Sequence, residues 1–168
     1  MEAPKDRDEV IKRFMDGPAL LERSLDGLRD TDLDAGPSQG GWTIRQIVHH
    51  IVDGDDVWKL GIKVALGNDQ AEFSMEWYRV QPQEVWADRW AYADRSLDVS
   101  LALLRAIRDQ ILQLLQQIPD GWNRSVQFRK PNGEIEHLPV GAIVEIQAHH
   151  VEHHVDRILA IRREHGGA

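Results

Sequence analysis

Apolar residues recur at helical spacing over one long segment, and this segment constrains the fold more firmly than any other feature of the chain. The repeating residues between Ala91 and Ile118 are Leu97, Leu101, Leu104, Ile107, Ile111, Leu114, Leu115 and Ile118. That spacing places them on one face of an α-helix, and the Pro-Asp-Gly that follows predicts the end of the helix. A helix with one apolar face needs a surface to pack against, so the pattern predicts a helical bundle.

Three further helices are predicted from the same periodicity and its boundary signals. The first spans about residues 8–30 and contains Gly17-Pro18, so we expect a short helix that restarts at the proline, or one kinked helix. The second spans about residues 43–66 and starts with a Thr-x-x-Gln capping box. The last spans about residues 139–164, with proline at its first position.

The connections between these helices differ in length and character. Residues 31–41 form a polar loop, and residues 69–90 form a long crossover with a short helix expected over about 82–90. Residues 125–136 alternate around a Pro-Asn-Gly turn, which predicts a small hairpin. We therefore predict an all-α four-helix bundle, with the long crossover between helices 2 and 3, a small hairpin before helix 4 and no other strand. Length favours one domain over residues 1–168.

Composition argues against several kinds of chemistry and partner. The chain has no cysteine, which excludes disulfides, thiolate metal ligands and a cysteine nucleophile. A formal net charge of −8, with no Lys/Arg-rich run, argues against nucleic acid or a membrane surface as partner. No apolar run approaches the ~20 residues of a membrane-spanning helix, and residues 1–13 lack the apolar core of a signal peptide. We therefore expect a cytoplasmic protein.

Six of the eight histidines fall into two clusters, one on each of two predicted helices. They are His49 and His50 on the second helix and His149, His150, His153 and His154 on the last. A helix turns about 100° per residue, so a helical wheel separates the inward from the outward members. Measured from Ile143, His150 and His154 lie within about 20° of the centre of the apolar face, and His153 and His149 lie about 80° and 120° away.

On the second helix the same construction selects one histidine of the pair. Measured from Ile47, His50 lies at the edge of the apolar face, about 60° from its centre. His49 lies about 160° away, on the opposite side. We therefore expect His50 to point inward, and His49, like His149 and His153, to lie on a solvated face.

Three inward imidazoles on two helices predict a metal site formed by His50, His150 and His154. Histidines four residues apart are neighbours on a helix and can bind one ion together, and a third ligand from another helix leaves a coordination position open. Neutral imidazole suits Zn, Ni, Fe or Cu. The structural alternative is that these are core histidines, but burying three imidazoles without partners is costly.

Other catalytic motifs are absent. The order of residues 149–154 does not fit the His-Glu-x-x-His metalloprotease motif. Neither a phosphate-binding Gly-rich loop nor a complete calcium loop occurs, and the inward helix faces carry no Glu-x-x-His pair of the di-iron type.

The two histidine segments resemble the motifs of the DinB/YfiT-like superfamily, a group of metal-binding four-helix bundles. Residues 40–53, GGWTIRQIVHHIVD, are similar to its Trp-Ser/Thr-x-x-(Glu/Gln)-x-x-x-His motif, whose histidine corresponds to His50. Residues 150–158, HVEHHVDRI, are similar to its His-x-x-(His)-His-x-x-Gln-Ile motif, whose histidines four apart correspond to His150 and His154. Arg157 stands where many members have Gln. His149 and His153 have the same spacing, and the wheel favours the other pair.

The resemblance implies one divalent metal ion per chain, with Zn or Ni favoured and Fe or Mn as alternatives. It also implies a homodimer that acts on a small-molecule substrate. Characterised relatives include low-molecular-weight thiol S-transferases, so our first hypothesis is transfer of such a thiol to an electrophile. For the substrate-binding role we name Trp77, Tyr78 and Arg79 on the crossover as candidates. A metal-dependent hydrolase is the second hypothesis, and a non-catalytic, metal-stabilised binding or dimerisation module is the third.

Overall fold

The computed structural model describes residues 6–166, so the first five and last two positions of the expected domain 1–168 lie outside the described residues. The helices are α1 (Arg7–Leu25), α2 (Ile44–Gly67), α3 (Glu76–Arg79), α4 (Gln83–Arg89), α5 (Leu97–Gln117) and α6 (Val140–Glu164). The strands are β1 (Glu72–Ser74), β2 (Ser125–Arg129) and β3 (Ile135–Pro139). A 3-10 helix, Asp30–Asp34, lies between α1 and α2.

The four long helices form the predicted bundle. Both α1 and α2 pack against α5 and α6. Helices α5 and α6, from the second half of the chain, therefore each contact both α1 and α2. Since α2 is held between α5 and α6, it buries side chains on two sides. Within residues 6–166, no helix is both long enough and apolar enough to cross a membrane.

Helix α1 continues through Pro18 as one helix, so of the two predicted alternatives the restart at the proline is wrong. Proline has no backbone N–H, which removes the helical hydrogen bond to the carbonyl four residues earlier. That carbonyl belongs to Phe14, and Arg108 Nη1 on α5 donates to it at 2.6 Å. A Cβ on Gly17 would lie 2.1 Å from the same Nη1. The glycine therefore makes room for a side chain that replaces the hydrogen bond which the proline cannot make.

The boundaries of α2 and α5 follow their caps. The Thr43 hydroxyl accepts from the Gln46 N–H at 3.3 Å, and the Gln46 side chain accepts from the Thr43 N–H at 3.0 Å, which confirms the predicted capping box. Helix α5 starts at Leu97, later than the predicted Ala91, because Ser96 is its N-cap and Ala91 has a positive φ of 52°. Helix α6 starts after Pro139, which is its N-cap.

The hairpin and the short crossover helix occur as predicted, but the crossover also contributes a strand. Strand β1 pairs in parallel with β2, with Phe73 opposite Phe128, and β2 pairs antiparallel with β3. The prediction of no further strand is therefore wrong. Trp58 on α2 packs against both phenylalanines, with ring centroids 5.9 and 5.5 Å away, so the sheet covers one end of the bundle.

The core consists of two apolar clusters that α2 and α6 both traverse. One cluster contains Ile62 on α2 and Ala148 on α6. The other contains Ile51 on α2 and Val151 on α6. On α6 the boundary between them falls at residues 149–150, which places the histidine segment where the two clusters meet.

Candidate metal centre

The structure brings the three predicted metal-binding histidines together. His50 on α2 faces His150 and His154 on α6, with ring centroids 4.9 and 4.8 Å away. The Nε2 atoms of His50 and His150 are 3.1 Å apart, and one nitrogen from each of the three rings lies within 4.8 Å of the others. His50 and His154 are buried, and His150 is partly buried.

Two neighbouring residues on the α2 side shape this cluster. The Trp42 ring lies against His50, with centroids 4.6 Å apart. Gly54, one turn after His50, faces the His150 ring, and a Cβ there would lie 3.0 Å from His150 Cε1. A side chain at position 54 would therefore press on a candidate ligand, so glycine permits the approach of the two helices.

Burial keeps all three imidazoles neutral. Loss of hydration lowers the pKa of His50 to about 3, that of His150 to about 4 and that of His154 to about 2. Nearby positive charge lowers them further: the guanidinium of Arg157 acts on the pKa values of His50 and His154, and that of Arg108 acts on the pKa of His150. Neutral imidazole is the form that binds a metal ion, so the site needs to release no proton at neutral pH.

The arrangement fits a divalent metal ion. Zn–N bonds of about 2.0–2.1 Å in a tetrahedral site place two donor nitrogens about 3.3 Å apart, close to the 3.1 Å between the Nε2 atoms. The Nδ1 atoms of His50 and His154 are buried without a hydrogen-bond partner among the described residues, so hydrogen bonds within the protein do not account for this cluster. Within residues 6–166 no carboxylate joins this group of candidate ligands, so three neutral donors leave the full charge of the ion in place.

A cavity of about 420 Å³ lies next to Trp42, the residue that packs on His50. Trp42, which packs on His50, lines it, and so does Arg157, one turn after His154. The remaining lining residues are Gly41, Gln46, Gln83, Glu84, Ala87 and Asp88. The volume is within the range of about 300–1,000 Å³ typical of small-molecule sites.

Of the outer histidines, His49 does not lie where we predicted. It is fully buried, with Nδ1 at 2.9 Å from Ser100 Oγ and Nε2 at 3.2 Å from the Arg95 carbonyl. The wheel assigned it to solvent because it assumes one buried face, whereas α2 also packs against α5. His149 and His153 are exposed, as predicted.

The three candidate substrate-binding residues lie away from the lining of this cavity. Trp77 is 48% exposed. Tyr78 is buried and stacks on Trp86, with ring centroids 5.6 Å apart, and the Arg79 guanidinium lies over the Phe128 ring at 5.7 Å. Their part in substrate binding stays a prediction.

Asp53, the carboxylate nearest to His50 in sequence, faces the segment between α4 and α5. Its Oδ2 lies 3.5 Å from Arg95 Nη1, and it is one of the groups that raise the pKa of Tyr92, after burial of that phenol. Asp53 pairs with Arg95 and not with any of the three histidines, so a role as general base has little support.

The sequence reasoning missed the residues that connect the metal ligands to the cavity. Trp42 belongs to the first motif, but nothing in its spacing indicated contact with His50. Gly54 was not singled out, although a glycine one turn after a ligand on a packed helix is a signal for close approach. For Arg157, the sequence showed only that arginine stands where many family members have glutamine, and gave no sign that it lines a cavity.

A second buried polar cluster lies between the same helices. Arg108 on α5 donates to Asp55 Oδ2 at 2.8 Å and to the Gln147 carbonyl at 2.9 Å, in addition to Phe14. The Gln147 side chain donates to the Asp55 carbonyl at 3.2 Å. Arg108 and Asp55 are 1% and 0% exposed. Each guanidinium nitrogen thus has an acceptor, which is how a charged group is accommodated in a core.

Comparison with known proteins identifies relatives over most of the chain. The model of the DinB superfamily matches residues 13–158. A protein of Oceanobacillus iheyensis named "Putative metal-dependent hydrolase" is 26% identical over 155 residues, which cover 92% of this chain and 84% of that protein. One of the same name from Bacillus cereus is 29% identical over 159 residues, or 93% of this chain and 85% of that protein.

Among solved structures, YfiT from Bacillus subtilis has a similar fold. It is described as "a probable metal-dependent hydrolase with an unusual four-helix bundle topology". The TM-score is 0.81 with 24% sequence identity, and the match covers 100% of this chain and 93% of that one. At this identity the similarity establishes the bundle topology alone.

Proposed function

Because this chain belongs to the DinB superfamily, we propose that it is a divalent-metal-dependent hydrolase of a small molecule. His50, His150 and His154 are the proposed metal ligands. The observation that carries the proposal is the convergence of three neutral imidazoles from two helices, two of them buried and one partly buried. Trp42, which packs on His50, also lines a cavity of about 420 Å³. The relatives named above as metal-dependent hydrolases support the same reaction class.

The ligand set suits Zn or Ni, since imidazole binds both well. Bound there, a divalent ion supplies Lewis acidity that activates a nucleophile at neutral pH. The protein holds the three rings in the neutral state by burying them, and α2 and α6 fix their separation. Trp42 shields one side of His50 from water, which strengthens electrostatic interactions within the site.

The proposed reaction adds water across one bond of the substrate. The water oxygen bonds to the electrophilic carbon, the bond from that carbon to its leaving group breaks, and a water proton goes to the leaving group. Because the chain has no cysteine and the described residues place no carboxylate among the candidate ligands, the proposed nucleophile is water and not a side chain.

The first test is a metal measurement on protein purified without chelators and without a histidine tag. We expect about one equivalent of metal per chain by mass spectrometry, and its loss in both His50→Ala and His150→Ala. His137→Ala, a change of an exposed histidine on β3, is the matched control and keeps the metal. Wild-type protein that neither contains metal nor retains it after addition of Zn, Ni or Mn would contradict the proposal.

Activity is then measured with 4-nitrophenyl esters on the metal-loaded protein. We expect release of 4-nitrophenolate that depends on the added metal and falls at least about 100-fold when one histidine ligand is removed. Hydrolysis by the His50→Ala variant at the wild-type rate would place the reaction elsewhere in the protein.

The size of the cavity favours a second candidate, transfer of a low-molecular-weight thiol to an electrophile. A volume of about 420 Å³ accommodates a separate thiol-bearing molecule, which would supply the nucleophile that the cysteine-free chain lacks. The two candidates separate in one assay: metal-loaded protein is given an aryl halide with and without a panel of small thiols. Thiol-dependent loss of the halide, together with absence of ester hydrolysis, would select the transferase.

A further inference from the structure

Arg157 is a partly buried cation without an ion-pair or hydrogen-bond partner among the described residues. Among residues 6–166, no carboxylate lies within ion-pair distance of its guanidinium and no hydrogen bond to it is formed. Two other charged residues on α6 have partners within the protein: Arg162 donates to the Ser24 carbonyl at 2.7 Å, and Glu152 accepts from Arg13 Nε at 2.8 Å. Because Arg157 lines the cavity of about 420 Å³, its guanidinium is available to pair with an anion held there.

The position of Arg157 connects the candidate metal centre to the cavity. It lines the cavity together with Trp42, and Trp42 packs on His50. Its positive charge lowers the pKa of both His50 and His154, which places it within electrostatic reach of two proposed ligands. A molecule held by Arg157 would therefore extend towards the ion.

The charge on the other side of the cavity restricts what Arg157 can hold. Glu84 and Asp88, four residues apart on α4, line the same cavity. These two carboxylates repel a bound dianion, such as phosphate, more strongly than they repel a bound group with a single negative charge. A carboxylate has a single negative charge and fits the bidentate geometry of a guanidinium. The amide side chains of Gln46 and Gln83 complete a polar wall that suits a small, singly charged molecule.

We propose that Arg157 is the specificity-determining residue of this site and that the substrate carries a carboxylate, which Arg157 binds while the scissile bond faces the three histidines. This inference rests on the proposed function and adds the class of substrate to it.

The test compares two esters that differ in one charge. Mono(4-nitrophenyl) glutarate carries a free carboxylate, and its methyl ester does not; both release 4-nitrophenolate. In the zinc-loaded wild type we expect kcat/KM for the charged ester to exceed that for the neutral one about tenfold or more. In Arg157→Gln we expect that ratio to fall about tenfold, mainly through KM, and Arg157→Lys to restore part of it.

Arg163→Gln is the matched control, because it removes the same charge from an exposed position on the same helix and should keep the wild-type ratio. Turnover with an unchanged ratio in Arg157→Gln would overturn the assignment of Arg157 and leave the hydrolase proposal standing. Equal kcat/KM values for the two esters in the wild type would likewise overturn the assignment of Arg157 and leave the hydrolase proposal standing.

If neither ester is hydrolysed, the hydrolase proposal fails and binding decides the role of Arg157. Monomethyl glutarate is titrated calorimetrically into the zinc-loaded wild type, Arg157→Gln and Arg163→Gln. A loss of affinity of about tenfold confined to Arg157→Gln supports a carboxylate site, and equal affinity in all three overturns it. Inorganic phosphate that binds as tightly as the carboxylate, with the same dependence on Arg157, would overturn the choice of a carboxylate.

Discussion

Two polar clusters are buried between α2 and α6, and they differ in how their polar atoms are satisfied. In the cluster around Arg108 each guanidinium nitrogen has an acceptor, and Gln147 Oε1 is the one buried side-chain atom of that group without a partner among the described residues. In the histidine cluster two of the three rings have a buried nitrogen without a partner. The charged groups of the first cluster are paired within the protein, whereas we propose that the second cluster is completed by a bound metal ion.

This difference separates two reasons for burying polar groups. A complete network stabilises one arrangement of the helices, and removing one member leaves a buried charge. A cluster with unpartnered buried atoms lowers the stability of the ligand-free protein, and a role in ligand binding explains why such a cluster is present. The comparison predicts that substitutions in the Arg108 cluster change folding, and that those in the histidine cluster change metal binding.

The largest effect is expected for Arg108→Met. The change leaves Asp55 buried without its cation, so the free energy of unfolding should fall by about 3–5 kcal/mol, measured by urea denaturation. Arg105→Gln is the control, because Arg105 is 60% exposed and pairs with Glu22, and should lose less than about 1 kcal/mol. The double variant Arg108→Met/Asp55→Leu should recover most of the loss. A loss below about 1 kcal/mol for Arg108→Met would remove the contrast between the clusters.

The next effect is stabilisation by added metal. At a free zinc concentration 100 times Kd, binding to the folded state adds about 2.7 kcal/mol, which raises Tm by roughly 5–10 °C for a chain of this size. His154→Ala should abolish this rise. His153→Ala, which removes the adjacent exposed histidine, should keep it. Equal rises in the two variants would show that zinc stabilises the protein at another position.

A smaller effect is expected from acid on the metal-free protein. The folded-state pKa values of His50, His150 and His154, about 3, 4 and 2, lie below the ordinary value of about 6.5. As the pH is lowered through 6.5, the unfolded chain therefore binds more protons than the folded chain, and the free energy of unfolding decreases. From pH 7 to 6 the loss is about 0.7 kcal/mol per histidine, or about 2 kcal/mol for three, measured by urea denaturation at both pH values.

The loss should continue to pH 4, where His150 begins to titrate in the folded state, and saturating zinc should steepen it because protons compete with the metal. Replacing the exposed His137 by Gln should leave the difference between pH 7 and pH 6 unchanged. A wild-type difference of zero would mean that the three imidazoles are hydrated.

The smallest effect is expected for Gly54→Ala. The added Cβ lies 3.0 Å from His150 Cε1, so it displaces the His150 ring. We expect zinc affinity to fall about tenfold, which is about the loss of affinity seen when a residue that supports a metal ligand is removed. The metal-free protein should be as stable as the wild type or up to about 1 kcal/mol more stable, since alanine favours a helix interior. Gly67→Ala is the control, because nothing lies within 4 Å of a Cβ there. Unchanged zinc affinity in Gly54→Ala would show that His150 shifts freely.

Local patterns predicted the long helices, the hairpin and the inward histidines, because each depends on periodicity or a cap within one segment. Three features escaped because they depend on pairing between distant segments. Strand β1 is three residues long and is defined by its contact with β2. His49 is buried by α5, which a wheel drawn for one face of α2 does not include. One wall of the cavity is formed by α4, whose position relative to Arg157 cannot be predicted from any local pattern.

The proline in α1 has a consequence for the order in which the protein acquires its structure. The gap that Pro18 leaves at the Phe14 carbonyl is filled by Arg108, a residue 94 positions away that sits on α5. Helix α1 therefore lacks one of its hydrogen bonds until α5 docks, and a helix with such a gap is less stable in isolation than its length suggests. We therefore expect the first helix to gain the hydrogen bond at its Phe14 carbonyl only when the third long helix packs against it.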